Sequence, residues 1–381
     1  MITELSEINK KKEKVGDRVK ERLQPFQLSI LIFMIQNGLV LYTAPRVTAE
    51  YFGTNGWLSI IFIFIFVNIN IVLITIIYKL GKGRSIFEII EATVPKWVMM
   101  PFYLFIIGIW IGMASMIMKK YIIIFKMMFF SEFSVIVFII CFMILSFQLL
   151  RGGIYNITKA IFVLFFFVIP MLFLLVYIFP EFDFARLTPY FFKGKTDFFK
   201  GTFQVYSGFL GIEVALLFFP MVEGKWTKAL YLGNFFSMAN GLIITLSCYG
   251  FFSFKQILND LYPVMTLFEY TEVQFISRAE NLCFSVYAFK VLSTMVIYYW
   301  GAQQIFRNMN KNVKPNFWIF IILASSFILA LIPDSIVNVE KWLELLSYCA
   351  IGIAWTLPMF VLFILIIQFF QRLSSREISR A

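Results

Sequence analysis

The residues of this sequence that could bind a small ligand lie in the middle of an apolar stretch that covers residues 25–50. Gln36, Asn37 and Gly38 stand at its centre, and Pro45 follows. In hydrocarbon, a helix is interrupted only where protein or a wet cavity satisfies the freed N–H and C=O groups. We therefore predict a helix that is broken near Gly38, with the break forming half of a ligand site. The alternative is a continuous helix, because Gly and Pro are commoner in membrane helices than in soluble ones.

A second apolar stretch, residues 203–222, repeats this pattern. Gly208 and Gly211 follow Ser207, and Pro220 comes further along the same stretch. Interrupted helices at corresponding places in the two halves of a chain are typical of inverted-repeat transporters, which bind substrate where the broken helices meet. A glycine-mediated contact between packed helices is the alternative explanation for Gly208 and Gly211.

Two broken helices would offer a charged ligand two kinds of partner. The N-terminus of a half-helix presents free N–H groups and a positive dipole end, which suit a carboxylate. The C-terminus of a half-helix presents free carbonyl groups, which suit an ammonium group or a metal ion. Because a zwitterionic amino acid carries both charges, the pattern favours an amino-acid-like ligand over a sugar or a lipid.

Charged residues also lie inside apolar stretches, where an unpaired charge costs at least about 2.5–3.5 kcal/mol at mid-bilayer. Glu213 follows Gly211 by two residues, and Lys290 lies near the middle of a later stretch that opens with Arg278 and Glu280. One hypothesis is that Lys290 supplies a fixed positive charge where related folds hold a coupling ion, with Glu213 as its partner. The alternative is that Lys290 snorkels or forms a structural pair. For Arg278 and Glu280 we expect a local ion pair or an interface anchor.

The composition defines the broad class of protein. Of the 381 residues, 60% are hydrophobic and 14% are charged, and the mean hydropathy is +0.83. This amount of apolar surface predicts an all-α polytopic membrane protein. The sequence contains no histidine, and its four cysteines lack metal-ligand spacing, so we expect no enzyme activity, no cofactor and no metal site. The basic residues lie in short loops and tails, where they set topology; we expect contact with membrane lipid and not with nucleic acid.

Ten apolar runs are predicted to be membrane helices, numbered 1 to 10 along the chain. They cover residues 25–50, 57–78, 98–119, 132–150, 158–179, 203–222, 229–252, 277–305, 316–333 and 343–370. The predicted division is a cytoplasmic N-terminal tail (1–24), a first five-helix repeat (25–179), an outer loop (180–202), a second five-helix repeat (203–370) and a cytoplasmic C-terminal tail (371–381). Basic residues are in excess on the side of the N-terminal tail, which predicts that both termini are cytoplasmic.

Two outer segments, 179–201 and 254–275, mix aromatic residues, proline and charge. They are predicted to lie in the membrane interface or over an outer vestibule, and docking of a soluble partner is the alternative. In predicted helix 3, Trp110 could line a small pocket, and packing in the protein core is its alternative role.

The chain resembles the B subunits of bacterial spore germinant receptors, the endospore germination permease family of the amino acid–polyamine–organocation superfamily. The resemblance runs nearly end to end and depends on the order and spacing of several short motifs. These are Phe26-Gln27, Gly38 with Pro45, Gly56-Trp57-Leu58, Gly208-Phe209-Leu210-Gly211-Ile212-Glu213, Phe218-Phe219-Pro220, Tyr262-Pro263-Val264 and Arg278-Ala279-Glu280.

The resemblance implies a ten-helix, five-plus-five LeuT-like fold with helices 1 and 6 broken, located in the spore inner membrane. It also implies a complex with a receptor A subunit and a lipoprotein C subunit, and recognition of a small germinant, often an amino acid. The implied pocket residues are Asn37, Gly38, Leu39 and Val40 on helix 1 and Tyr206, Ser207, Gly208 and Gly211 on helix 6, with helix 3 (Trp110) and helix 8 closing the sides.

One departure from the superfamily concerns the first break. Transporters of this superfamily often have two small residues there, whereas Asn37 and Leu39 flank Gly38 in this chain, which implies a narrower or less polar pocket. Three functions remain open: a receptor subunit that reports ligand binding to its partners, a proton-coupled amino acid permease that acts alone, and a scaffold that binds no ligand.

Overall fold

The computed structural model describes residues 23–129, 134–188, 193–194, 196–222, 224–270 and 279–378, and it describes side chains as far as residue 371. The predicted N-terminal tail up to residue 22, Arg278 and parts of the two outer segments lie outside the described residues. The described chain is almost entirely helical.

The membrane helices keep the numbers of the predicted ones. Helix 1 consists of two halves, 1a (Pro25–Ile35) and 1b (Val40–Phe52), and helix 6 also has two halves, 6a (Phe198–Tyr206) and 6b (Ile212–Met221). The others are helix 2 (Leu58–Gly81), helix 3 (Lys96–Met128), helix 4 (Val135–Arg151), helix 5 (Gly153–Val168), helix 7 (Trp226–Phe251), helix 8 (Ala279–Met309), helix 9 (Pro315–Leu331) and helix 10 (Ile336–Ile378). Short helices lie between them at Ile86–Glu91, Phe254–Asn259 and Pro263–Glu269.

The predicted count of ten membrane spans can be compared with the number of helices that are long enough to cross a membrane. Among the described residues, seven helices are long and apolar enough to cross a membrane, and the bent pair formed by 1a and 1b makes an eighth. Helices 4 and 9 are also apolar but have 17 residues each. The chain is therefore an integral, polytopic membrane protein, while the count of ten spans stays a prediction.

Helices 1 and 6 are both interrupted, as predicted. The two parts of helix 1 meet at an angle of 61°. Asn37 has a φ of 60°, a left-handed conformation that is uncommon outside glycine but several-fold enriched in asparagine. In helix 6, Gly211 has a φ of 105° and follows the extended residue Leu210, so the helix stops there and resumes as the 3₁₀ helix 6b. The first break was predicted near Gly38, and the left-handed residue is its neighbour Asn37.

Several helices differ in length from those expected, and helix 5, predicted at 158–179, spans Gly153–Val168. Helix 3 continues to Met128, and helix 6 starts at Phe198, inside the predicted outer loop. Helix 10 extends from Ile336 to Ile378, so its backbone remains helical through most of the predicted C-terminal tail. The extra turn of helix 6 carries Phe198, Phe199 and Lys200, residue types that are common at the membrane interface.

The two broken helices lie in the interior, and other helices surround them. Helix 6b is buried almost throughout, and helix 1a is buried from Leu28 to Ile35. Helix 7 packs closely on helix 1a because Gly233 has no side chain; a Cβ atom there would lie 2.5 Å from the carbonyl oxygen of Ser29. On the outside, helices 2, 4 and 5 expose large apolar side chains such as Phe166, which suits contact with lipid.

Candidate ligand-binding site

The two unwound segments face each other and are joined by hydrogen bonds. The backbone N–H of Asn37 donates to the carbonyl of Gly208 at 2.5 Å, and the side-chain amide of Gln36 donates to the carbonyl of Phe209 at 2.9 Å. Each bond satisfies a backbone group that lost its helical partner at a break, which is the condition for interrupting a helix in hydrocarbon. The break in helix 6 therefore supports the break in helix 1.

Asn37 also connects the break to two neighbouring helices. Its side-chain amide donates to the carbonyl of Ser237 on helix 7 at 2.5 Å, and its own carbonyl accepts a hydrogen bond from the hydroxyl of Tyr287 on helix 8 at 3.3 Å. One residue thus holds helices 1, 6, 7 and 8 together at the centre of the protein. The short polar side chain suits both this role and the left-handed backbone.

Substitutions of Asn37 should separate these two roles. In Asn37→Gly the left-handed backbone remains accessible and only the side-chain hydrogen bond is lost, at about 0.5–1.5 kcal/mol. In Asn37→Ala the same hydrogen bond is lost, and the left-handed backbone costs about 1–2 kcal/mol more in folding free energy. We expect melting temperatures of the purified proteins to fall in the order wild type, Gly variant, Ala variant. An Ala variant as stable as the Gly variant would show that the left-handed backbone of residue 37 does not matter.

A row of polar side chains on helix 8 faces the unwound part of helix 1. Tyr287, Lys290, Thr294 and Tyr298 follow at helical spacing, and the hydroxyl of Thr294 donates to the carbonyl of Ile35 at 3.1 Å. Ile35 is the last residue of helix 1a, so this bond satisfies a carbonyl that the break left free. Thr294 and Tyr298 were not predicted for the site, although their spacing of four residues indicates that they share one face of helix 8.

A cavity of about 290 Å³ opens at the two breaks. Six residues predicted for the site line it: Asn37, Gly38, Leu39, Val40, Ser207 and Gly208. Thr294 and Tyr298 of helix 8 and Met113 and Ile117 of helix 3 line it as well. A Cβ atom built on Gly38 would meet nothing within 4 Å, so the backbone there is open to the cavity.

The start of helix 1b lies at the wall of this cavity. Helix 1b begins at Val40, and among the described residues the N–H groups of Gly38 and Leu39 donate no backbone hydrogen bond. Free N–H groups at a helix N-terminus attract anions, and the dipole of the helix adds to this attraction. A carboxylate of a bound ligand would fit here.

Three residues predicted for the pocket lie behind its wall. Trp110 is buried, with its ring centroid 6.3 Å from that of Tyr298. Tyr206 is also buried. Gly211 packs against Ile35, because a Cβ atom built on Gly211 would lie 3.0 Å from the side chain of Ile35. None of the three lines the cavity. The interpretation of Trp110 as core packing, which the sequence left open, describes its position.

Glu213 is fully buried beside the helix 6 break. One carboxylate oxygen accepts the N–H of Gly211 at 2.8 Å, and the other accepts the hydroxyl of Tyr298 at 3.1 Å. The predicted ion pair with Lys290 is absent, and this prediction was wrong. Lys290 and Tyr298 are eight residues apart on helix 8, about 12 Å along its axis, so the carboxylate that bonds to Tyr298 lies away from Lys290.

Lys290 is almost completely buried and precedes Tyr298 along helix 8. Its ammonium nitrogen lies 4.3 Å from the ring centroid of Phe33 and 5.6 Å from that of Tyr287, and it has no hydrogen-bond partner among the described residues. A desolvated cation–π contact contributes about 2 kcal/mol. Removal of an ammonium group from water costs several kcal/mol, so this contact alone does not compensate for burial.

Charged residues lie at the mouth of the cavity. Lys120 of helix 3 pairs with Glu340 of helix 10 at 3.1 Å, and Lys200 of helix 6a pairs with Glu344 of helix 10 at 3.6 Å. The Lys200–Glu344 pair is partly exposed, and pairs of this kind contribute roughly 0–1 kcal/mol, whereas Lys120 of the other pair is buried. Both pairs fix the start of helix 10 next to the cavity, and neither pairing is readable from sequence because the partners are far apart in the chain.

Two interrupted helices around a central cavity define a membrane protein built like a secondary transporter, and solved structures agree. A Na⁺-coupled sialic acid symporter superposes with a TM-score of 0.61 at 12% identity, covering 87% of this chain and 77% of the symporter. The manganese transporter of Eremococcus coleocola gives a TM-score of 0.55 at 10% identity, covering 90% of this chain and 78% of the transporter. These likenesses show the LeuT-like fold.

The family follows from the sequence comparison. The profile of the family described as "Spore germination protein" matches residues 22–339, and the chain belongs to this family. Spore germination protein A2 of Bacillus subtilis (strain 168) is 26% identical over 357 residues, covering 91% of this chain and 96% of that protein. Spore germination protein GerQB of Bacillus cereus is 24% identical over 319 residues, covering 81% and 88%. The resemblance inferred from the motifs is confirmed. Neither this family nor the solved neighbours are a class of enzyme.

Proposed function

We propose that the chain is the germinant-sensing membrane subunit of a spore germination receptor and that it binds a small amino-acid-like ligand between helices 1 and 6. Family membership supports the germination role. The observation that carries the ligand proposal is the cavity at the two facing breaks, where Gly38 and Leu39 present free backbone N–H groups. The spore inner membrane as the location, and cytoplasmic termini, belong to the same proposal.

The walls of the cavity support a zwitterion with an apolar side chain. The N–H groups at the start of helix 1b suit its carboxylate. The carbonyl of Gly208, a cavity-lining residue, has a second lone pair beside the one that bonds to Asn37, and it suits the ammonium group. Apolar residues of the lining, among them Val40, Met113 and Ile117, suit an aliphatic or aromatic side chain. A hydrophobic amino acid satisfies all three surfaces.

Binding would act through a shift between two conformations of the protein. Helices 3, 6 and 10 meet at the mouth of the cavity through Lys120, Glu340, Lys200 and Glu344. A ligand that binds more tightly when these helices are close together shifts the population towards that state. A receptor A subunit and a lipoprotein C subunit are the proposed partners that detect the change.

A thermal-shift screen of the twenty amino acids with the purified full-length chain tests the ligand proposal. We expect one or a few hydrophobic amino acids to raise the melting temperature with a saturable dose dependence, because ligand binds the folded protein only. Amino alcohols and N-acetylated amino acids, which lack one of the two charges, serve as controls and should have no effect. A shift that is the same for both controls would contradict recognition of a zwitterion.

A proton-coupled amino acid permease is the second candidate, because the fold is that of coupled transporters. Uptake of the radiolabelled amino acid into proteoliposomes, with and without a pH gradient, separates the two functions. Accumulation driven by the gradient would identify a permease. Saturable binding without accumulation is expected for a receptor subunit.

A further inference from the structure

A second, smaller cavity lies next to Lys290 and is separate from the candidate ligand site. It has a volume of about 30 Å³, and residues of helices 1, 5, 7 and 8 and of the short helix Pro263–Glu269 line it. Lys290, Phe33, Tyr42, Asn240 and Tyr287 are among them. No aspartate or glutamate lines this cavity.

Three side chains of this cavity carry hydrogen-bond donors that have no partner among the described residues. Lys290 is 1% exposed, and its ammonium group makes neither a hydrogen bond nor an ion pair within the described part of the chain. Asn240 and Tyr42, which are 5% and 3% exposed, also make no side-chain hydrogen bond to described residues. A buried positive charge requires an opposite charge or a set of acceptors, and no described residue forms an ion pair or a hydrogen bond with Lys290.

We propose that this cavity is a binding site for a single halide ion, chloride under physiological conditions, which neutralises Lys290. The ammonium group of Lys290, the amide of Asn240 and the hydroxyl of Tyr42 are the donors to the ion. The apolar remainder of the lining, including Phe33, suits a large, weakly hydrated monatomic anion better than it suits phosphate or sulfate.

The size of the cavity decides between a halide and other occupants. A volume of about 30 Å³ holds one or two atoms of the size of a water molecule. The carboxylate of an amino acid would bring the rest of the molecule with it and does not fit. A water molecule fits, but it would leave the charge of Lys290 uncompensated.

The site is connected to the break in helix 1 by one side chain. Tyr287 lines the small cavity, and its hydroxyl donates to the carbonyl of Asn37. Loss of the anion would therefore leave an uncompensated positive charge beside the side chain that supports the helix 1 break. The anion site itself does not depend on the identity of the ligand in the larger cavity.

Binding of radiolabelled chloride to the purified full-length chain in lipid nanodiscs tests the proposal. Sodium gluconate replaces chloride at constant ionic strength, and bromide is the competitor. We expect saturable binding of one chloride per chain, displaced by bromide but not by sulfate, and a melting temperature that rises with chloride as the site fills. Wild-type protein without saturable chloride binding would overturn the proposal and indicate an uncharged amine at Lys290.

Variants assign the ion to this cavity. Lys290→Met should abolish chloride binding, while Lys159→Met, which removes an exposed lysine of helix 5, should leave it unchanged. Should Lys290→Met fail to fold, Asn240→Leu keeps the positive charge and removes one donor. It should weaken chloride affinity about tenfold, the effect of one hydrogen bond to a charged group. Unchanged affinity in both Lys290→Met and Asn240→Leu would place the ion elsewhere and contradict the proposal.

Discussion

A Gly208→Trp variant is expected to lose the germinant response entirely while the receptor complex still assembles. Gly208 lines the cavity, and a Cβ atom there would lie 3.4 Å from the side-chain oxygen of Asn37 and 3.5 Å from a methyl group of Val40. These are ordinary contact distances, so a methyl group fits. An indole ring extends further and fills the space between the two breaks, where the ligand is proposed to bind.

Two matched variants control for effects on folding. Gly208→Ala adds only the Cβ atom and should keep a response, with a changed half-maximal germinant concentration. Gly108→Trp places the same large side chain on helix 3 at an exposed position, where a Cβ atom meets nothing within 4 Å, and should leave the response unchanged. A Gly208→Trp spore that responds with the wild-type concentration dependence would contradict the pocket proposal.

Replacement of Glu213 by Ala is expected to have the largest effect on stability. The carboxylate accepts hydrogen bonds from the N–H of Gly211 and the hydroxyl of Tyr298, and both donors are buried. Each buried donor left without a partner costs about 1–3 kcal/mol, so the loss is about 2–6 kcal/mol for the pair. A marginally stable protein would then be largely unfolded or degraded. Melting temperature and the yield of monodisperse protein measure the effect.

A Tyr298→Phe variant isolates half of this network. It removes the hydroxyl donor but retains the ring that lines the cavity and the bond from Gly211 to Glu213. We expect a smaller loss of stability, about 1–3 kcal/mol, together with weaker binding of ligand. If Glu213→Ala and Tyr298→Phe were equally stable, the bond to Gly211 would contribute nothing to the helix 6 break.

The fold could be predicted from the sequence because few structures satisfy every backbone N–H and C=O group inside the hydrocarbon core. A polar, glycine-containing centre in an apolar span is tolerated only beside protein or a wet cavity, so Gln36, Asn37 and Gly208 predicted both breaks and their proximity. Asn37, Gly38, Ser207 and Gly208 were predicted on the same grounds to share one site, and these residues line one cavity.

Predictions that required the rotation of a helix about its own axis were less successful. Trp110, Tyr206 and Gly211 lie on the expected helices but behind the cavity wall, because nearly every residue in a buried apolar helix is equally apolar and no periodic pattern marks the inner face. The pairing of Lys290 with Glu213 was predicted from opposite charge alone. Glu213 bonds to Tyr298, which lies eight residues after Lys290 on helix 8, and the charge of a residue does not show its depth along the helix.

Helix 10 has 43 residues and is therefore about 64 Å long, roughly twice the thickness of the hydrocarbon core. It begins beside the ion pairs of Glu340 and Glu344 at the cavity mouth. In the proposed orientation its C-terminal end projects into the cytoplasm, so a tilt of the helix moves both of its ends. A tilt of about 5° around its midpoint displaces that end by about 3 Å, since half of the helix is about 32 Å long at 1.5 Å per residue. Closure around a ligand at the outer surface would thus become mechanical displacement on the opposite side of the membrane.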